Sequence, residues 1–265
     1  MRWEFDHPDG RVRRAARAVD TATHPDAQGR GVFRALTMHA LDALAADGSD
    51  FVFNTPNDKS RPGYLAMGWS TVGRVPIGVR VTRPTALFRI ASSRVAADRF
   101  APEHTRSDRL TVHDIAGDAD LAALLAELPS PSGLRTRRSV GYLTWRYGHD
   151  RLGYQAVVAP GGVREGVAVF RSRPRGAARE VALCEVLSRA GDRIGQARLV
   201  RAAQRAGSGD YVLSAGRSRH GFVPLPRLGP ILTYRGLQPD PTTAASRADP
   251  APGRWDLGLG DIELF

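Results

Sequence analysis

The sequence has one cysteine, one lysine and no long apolar run. Cys184 alone cannot form an internal disulfide or a metal centre built from several cysteines, and its apolar neighbours are typical of a small buried residue. No stretch of about 18 apolar residues occurs, so the sequence predicts no membrane span. The first residues include Asp6 and Asp9 and lack the apolar core of a signal peptide. A cytoplasmic protein is the simplest interpretation.

The charge of the chain comes almost entirely from arginine on its positive side. Lysine and arginine together number 38 against 27 acidic residues, which gives a net charge of +11 at pH 7. The arginines are spread along the whole chain, without interleaved aromatics or the pattern of a recognition helix. We therefore expect no nucleic-acid site. The scattered histidines have no metal-ligand spacing and predict no metal site.

A strand, a glycine-containing turn and a helix follow one another near the start of the chain. Small and β-branched residues over 16–23 indicate the strand, and Gly48 is placed to end the helix. The helix is predicted by apolar residues with a period of about 3.6, namely Phe33, Leu36, Ala40 and Leu44. Between them lie Gly29, Arg30 and Gly31. Free amides at a helix start can bind a pyrophosphate, although an ordinary turn before a helix would have the same pattern.

A second motif lies downstream of a short apolar strand at 51–53. Its residues, at fixed spacing, are Asn57, Ser60, Tyr64, Gly68 and Trp69. They resemble the signature Asn-x-x-Ala/Ser-x-x-x-Tyr-x-x-x-Gly-aromatic of the GNAT superfamily of acyl-CoA-dependent N-acyltransferases. The stretch 28–31 resembles the pyrophosphate loop of the same superfamily, Gln/Arg-x-x-Gly-x-Gly/Ala. Phe33 departs from it, because the loop normally ends in a small residue.

The resemblance implies an α/β fold (α+β, mixed sheets) of tandem GNAT-like repeats, in which helices flank central mixed sheets. Residues 1–90 would form the acyltransferase module, with a shortened N-terminal part, since about one strand precedes the central strand where a complete module has two helices and two or three strands. Either the true start lies upstream of Met1 or the module is naturally trimmed. Residues 91–117 would be a bridging segment. Residues 118–237 repeat the order of strands and helix without the pyrophosphate loop, and 238–265 would be a linker and a C-terminal segment.

The resemblance also implies a site for acetyl-CoA as co-substrate. The cofactor-binding residues would be Thr21, Ala22, Thr23, Gln28, Gly29, Arg30, Gly31, Val32, Phe33, Asn57 and Ser60. In the superfamily the position of Tyr64 commonly donates a proton to the leaving thiolate, and a phenol with a pKa of about 10 suits that role. The alternative for Tyr64 is a packed aromatic residue near a helix end.

The general base is less determined than the acid. Asp20 lies on the central strand just before the cofactor edge, where it would accept the amine proton directly or through water, or else serve a structural role. His24 is expected to fix the loop before Pro25 rather than to act in catalysis. A further alternative is that the terminal carboxylate of Phe265 folds back into the site.

The leading functional hypothesis is transfer of an acetyl group from acetyl-CoA to a primary amine by direct attack. One alternative is a catalytically inactive acyl-CoA-binding or scaffold protein. Another is an aminoacyl-tRNA-dependent transferase of related fold, which would use the positive charge. The expected partners are an acyl-CoA and an amine acceptor that the sequence does not identify, with no membrane. Whether the chain forms a homodimer stays open.

Overall fold

The computed structural model describes residues 1–19, 21–82, 84–93, 95–98, 110–216, 220–225, 227–237 and 254–262. The strands are β1 Arg2–Asp6, β2 Val12–Arg17, β3 Phe51–Asn54, β4 Ser70–Arg74, β5 Ile77–Val81, β6 Arg135–Thr136, β7 Gln155–Ala159, β8 Gly162–Arg175, β9 Ala178–Ser188, β10 Tyr211–Ala215, β11 Val223–Pro224 and β12 Ile231–Gly236. The helices are α1 Val32–Ala46, α2 Arg61–Ala66, α3 Ala86–Ser92, α4 Val112–Ala116, α5 Ala119–Ala126, α6 Val140–Tyr147, α7 Arg193–Gly207 and α8 Leu259–Ile262. Within these ranges we find no helix with the length and hydropathy needed to cross a bilayer.

The described chain divides into two compact units, each with one mixed six-stranded sheet and its own helices. Unit 1 consists of Met1–Val75, Pro131–Arg137 and Gly229–Asp256, and unit 2 of Pro76–Ser130, Arg138–Leu228 and Leu257–Phe265. The sheet of unit 1 has the order β4-β12-β3-β2-β1-β6, and that of unit 2 has the order β11-β5-β10-β9-β8-β7. The α/β fold class predicted from the sequence, with mixed sheets flanked by helices, is confirmed.

The centre of unit 1 is the parallel pair β2 and β3, which α1 connects. The other neighbours in this sheet are antiparallel. One face of the sheet packs against α1 and α2 through a buried cluster: Ala16, Leu41, Val52, Tyr64, Met67 and Trp69. The helix predicted over 31–47 is confirmed, with Gly31 before its first residue and Asp47 after its last.

An aromatic cluster within unit 1 fixes the strands that lead to the site. It comprises Trp3, Phe5, Phe51, Phe53, Tyr234 and Trp255, with neighbouring ring centroids 5.1–6.4 Å apart. The buried guanidinium of Arg17, the last residue of β2, lies 5.8 Å from the Trp3 ring centroid and 5.6 Å from that of Phe53. Cation–π contacts of this kind hold the end of β2 beside β3.

Unit 2 repeats the central arrangement of unit 1. Its parallel pair is β9 and β10, which α7 connects, and β7 and β8 extend the sheet on the other side of β9. The order of strands and helix predicted within 118–237 is present there as β7, β8, β9, α7 and β10. Helices α4, α5 and α6 contribute to a large core cluster with the inner face of this sheet.

Consecutive strands of the chain do not always belong to the same sheet. Strands β4 and β5 follow each other in the chain, but β4 lies in unit 1 and β5 lies in unit 2, between β10 and β11. The chain leaves one sheet for the other at Val75 and Pro76, where proline has no amide to continue a ladder. In return β12, which the sequence analysis did not predict, lies between β3 and β4. The units therefore do not coincide with the contiguous ranges 1–90 and 118–237 expected from the sequence.

Candidate active site in unit 1

The site begins where the parallel strands β2 and β3 stop pairing. Their last ladder pair is Arg17 with Phe53, and the amide of Ala18 still donates to the Phe53 carbonyl at 3.3 Å. The sequence predicted that the strand continues to Thr23, and that expectation was wrong: β2 ends at Arg17. Beyond it Thr21 and Ala22 are exposed and Thr23 is half-buried, outside any strand. This leaves an open edge after β2, where Thr21, Ala22 and Thr23 lie outside the ladder with β3.

A short turn ties this open edge to the start of α1. A 3-10 helix, Pro25–Ala27, follows His24, whose Nδ1 accepts from the Asp26 amide at 3.4 Å. The side-chain amide of Gln28 donates to the carbonyl of Thr23 at 3.1 Å. Both contacts are local, so His24 and Gln28 hold the shape of the loop.

The start of α1 has the properties of an anion site. Gly29 and Gly31 have φ of +72° and +74°, the left-handed region that favours glycine, and open space surrounds the position of a Cβ at both. Gly31 makes no side-chain cap, and the first backbone bond of the helix joins the Ala35 amide to the Gly31 carbonyl at 3.0 Å. The amides of Val32 and Phe33 therefore have no partner within the helix, and the helix dipole makes this end partly positive.

The opposite wall is a tight turn that leads from β3 into α2. Asn57 Oδ1 accepts from the amides of Lys59 and Ser60 at 3.0 and 2.9 Å, and from the Ser60 hydroxyl at 3.1 Å. The oxygen of Asn57 thus serves the turn itself. Lys59 is exposed beside it.

These elements enclose a pocket of about 440 Å³. It is lined by Thr21, Thr23, Ala27, Gln28, Gly29, Gly31, Val32, Phe33, Asn57, Lys59, Ser60 and Gly63. Every cofactor-binding residue predicted from the sequence is present except Ala22 and Arg30, which are exposed nearby. Ala27, Lys59 and Gly63 were not predicted. None of the described lining residues is acidic, and Lys59 adds a positive charge, so this part of the pocket is electrostatically suited to a polyanion.

The structure places Tyr64 behind the pocket rather than in its lining. Its side chain is buried, with 3% of its surface exposed, and its ring meets Phe33 edge-on at 5.2 Å and Trp69 at 5.1 Å between centroids. A Cβ at Gly63 would lie 3.0 Å from Phe33 Cε1, so the absence of a side chain there admits the large Phe33 ring. Asp20 and Phe265 lie outside the described residues, and the roles predicted for them and for Tyr64 stay predictions.

Comparisons with known proteins agree with this geometry. Residues 6–72, which contain both motifs, match the sequence model of the Acetyltransferase (GNAT) domain. No curated protein sequence matches the chain. Among solved structures, a GCN5-related N-acetyltransferase from Anabaena variabilis ATCC 29413 superposes with a TM-score of 0.60 at 11% identity, over 90% of this chain and 58% of that one.

Two further solved structures show the same fold. A GCN5-related N-acetyltransferase from Kribbella flavida has a TM-score of 0.56 at 16% identity, over 89% of this chain and 56% of its own. A conserved protein of unknown function from Enterococcus faecalis V583, described as a probable N-acyltransferase, has a TM-score of 0.58 at 14% identity, over 90% and 58%. The chain therefore spans less than three fifths of the length of the structures it resembles.

Proposed function

We propose that this chain, whose residues 6–72 match the sequence model of a GNAT domain, is an N-acyltransferase that moves an acetyl group from acetyl-CoA to a primary amine. The observation that carries the proposal is the pocket of unit 1. It brings together an uncapped helix start, the open edge after β2 and the turn before α2, without an acidic residue among its described lining residues. The helix start and Lys59 of the turn suit the pyrophosphate of an acyl-CoA, and the open edge suits its amide-containing arm.

The residues of the pocket fit the proposed co-substrate. The amides at the start of α1 and the ammonium group of Lys59 would bind the pyrophosphate, since both are positive and face the pocket. The backbone at Thr21 and Thr23 lies in the lining and would offer polar groups to an amide-containing arm, besides the Thr23 carbonyl that already accepts from Gln28. Bound acetyl-CoA would supply the thioester whose acyl group is transferred.

Proton handling is assigned to two side chains. Tyr64 Oη would hold the proton that the departing sulfur requires, and the Asp20 carboxylate would accept the proton that the amine loses. Because Tyr64 is nearly buried beneath Phe33, bulk water has little access to its hydroxyl.

The position of Tyr64 also favours a second candidate function. A tyrosine that packs between Phe33 and Trp69 without lining the pocket is what a purely structural residue would show. In that case unit 1 would bind acyl-CoA without transferring the acyl group. The two functions share the binding site and differ in turnover.

Calorimetric titration with acetyl-CoA tests the binding site that both functions require. The informative variants are Gly31→Asp and Gly31→Asn, since both side chains tolerate positive φ and have nearly the same size. Only the aspartate adds a negative charge at the pyrophosphate position. At a separation of about 5 Å this costs roughly 1–3 kcal/mol, or about 5- to 150-fold in affinity.

The outcomes separate the possibilities clearly. We expect micromolar binding by the wild type and weaker binding by Gly31→Asp than by Gly31→Asn. Equal affinities of the two variants would show that the pyrophosphate does not bind at the start of α1. The absence of binding by a folded wild type would refute the site. Release of free CoA thiol in the presence of a panel of primary amines then distinguishes the acyltransferase from the non-catalytic binding protein.

A further inference from the structure

Unit 2 contains the same opening between parallel strands that forms the site in unit 1. The pairing of β9 with β10 ends at Leu183 and Ser214, as that of β2 with β3 ends at Arg17 and Phe53. Beyond this point β9 continues to Ser188, so the two strands separate. The gap between β9 and β10 would therefore be open to the extended arm of a ligand, as the gap after β2 is in unit 1.

In unit 2 this place is filled by the chain itself. The segment 257–262, which includes α8, lies against both strands just beyond their last pair. A Cβ built on Gly258 would lie 3.1 Å from the carbonyl oxygen of Cys184 on β9, and one built on Gly216, directly after β10, would lie 3.5 Å from the Leu257 carbonyl oxygen. Leu257 and Leu259 are buried.

A buried carboxylate anchors the segment. Asp261 is fully buried, and its Oδ2 accepts from Arg138 at 3.0 Å and from the amide of Gly258 at 2.7 Å. Its Oδ1 accepts from the hydroxyl of Tyr142 at 3.2 Å. Arg138 also pairs with Glu185 on β9 at 3.0 Å, which links the segment to the central strand. Burial and the negative charge of Asp261 raise the pKa of the Tyr142 hydroxyl well above its usual value, so it stays a donor.

The fit of the segment around Gly260 leaves no room for a larger residue. Its carbonyl accepts from Arg146 Nε at 2.9 Å, and a Cβ there would overlap the hydroxyl oxygen of Tyr147. Tyr147 in turn donates to Glu185 at 2.7 Å. The segment is thus held by hydrogen bonds and by shape, as a bound ligand is.

The helix start of unit 2 is occupied in a similar way. The Asp192 carboxylate accepts from the amide of Gly195 at 2.8 Å and caps α7, whereas Gly31 gives α1 no side-chain cap. A carboxylate at this position uses an amide that a phosphate would need and repels a second anion.

We propose that unit 2 is a self-occupied copy of the unit 1 site. Asp192 takes the place of the phosphate and residues 257–262 take the place of the extended arm, so that each chain binds a single acyl-CoA, in unit 1. The stoichiometry rests on the proposed function, whereas the occupation of unit 2 can be measured without any ligand.

Cys184 provides the measurement, because it is the single cysteine of the chain and is buried in the same core cluster as Leu259. The rate of its reaction with a thiol reagent such as Ellman's reagent reports whether the segment is in place. Asp261→Asn removes the charge that pairs with Arg138, and we expect labelling at least tenfold faster. Asp256→Asn, an exposed change just before the segment, is the matched control and should label as slowly as the wild type.

Acetyl-CoA titration completes the test. Three results together would support the proposal. The wild type binds one equivalent of acetyl-CoA, Gly31→Asp loses that binding, and acetyl-CoA does not change the rate of Cys184 labelling. Two equivalents, or acetyl-CoA that accelerates labelling, would overturn it, as would slow labelling of Asp261→Asn. If Asp261→Asn does not fold, the wild-type stoichiometry and the effect of acetyl-CoA on labelling still decide. Zero equivalents would refute the proposed function, and the labelling rates would then still show whether unit 2 is occupied.

Discussion

The paired variants Tyr64→Phe and Tyr64→Ala separate the chemistry of this residue from its packing. The ring of Tyr64 lies between Phe33 and Trp69 in the buried cluster beneath α1 and α2. Phenylalanine keeps that ring and removes only the hydroxyl. Alanine removes the ring as well and leaves a cavity among the aromatic neighbours.

The expected magnitudes differ for the two variants. Truncation of a buried aromatic residue to alanine costs about 3–5 kcal/mol of folding free energy, and loss of a single hydroxyl about 1 kcal/mol. A positioned proton donor contributes about 10²- to 10⁴-fold to a rate. If Tyr64 acts in catalysis, Tyr64→Phe should lower kcat by that factor while acetyl-CoA affinity and thermal stability stay close to those of the wild type.

The assay combines three readings on each variant: the rate of CoA thiol release with an accepted amine, the Kd of acetyl-CoA and the Tm. Wild-type kcat in Tyr64→Phe would refute the catalytic assignment and leave Tyr64 as a packing residue. A loss of acetyl-CoA binding in Tyr64→Phe would also contradict the reasoning, because the hydroxyl does not line the pocket.

Two further predictions follow from the fold. A chain of residues 1–90 lacks β12, the strand between β3 and β4, so it should show no cooperative thermal unfolding; a sharp transition would contradict the strand order. Hydrogen bonds from the Thr111 amide and hydroxyl hold the pKa of the Asp114 carboxyl below its ordinary 3.8. The carboxylate therefore stabilises the fold above pH 3.8, and this stabilisation is lost as the pH falls through the lowered pKa. Asp114→Asn should have a lower urea midpoint than the wild type at pH 7 and the same urea midpoint at about pH 2. A difference independent of pH would exclude the carboxylate as its cause.

The local elements of the fold could be predicted because their signals are local. The period of apolar residues in α1 and the position of Gly48 after the helix depend on neighbours within a few positions. The partners of β5 and β12 could not be predicted in this way. β12 pairs with strands more than 150 residues earlier in the chain, and its own sequence carries no sign of which sheet it joins.

In the candidate site, the motif spacing predicted the positions of residues along the chain but not the directions of their side chains. Motif spacing located Gln28, Gly31 and Asn57 because their backbone turns form the walls of the pocket. Lys59 was missed because the signature leaves its position unspecified. The motif gave the position of Tyr64 but not the direction of its side chain, which depends on the bulky Phe33 packed against it.

The lysine in the wall of the pocket allows ligand binding there to be followed by chemical labelling of the natural sequence. Lys59 is the single lysine among 265 residues, so an amine-directed reagent has one ε-amino group to modify, besides the α-amino group at Met1. Any peptide that carries an Nε-adduct must therefore come from the rim of the unit 1 pocket. Intact-mass spectrometry after brief labelling would follow ligand occupancy there without any engineered residue.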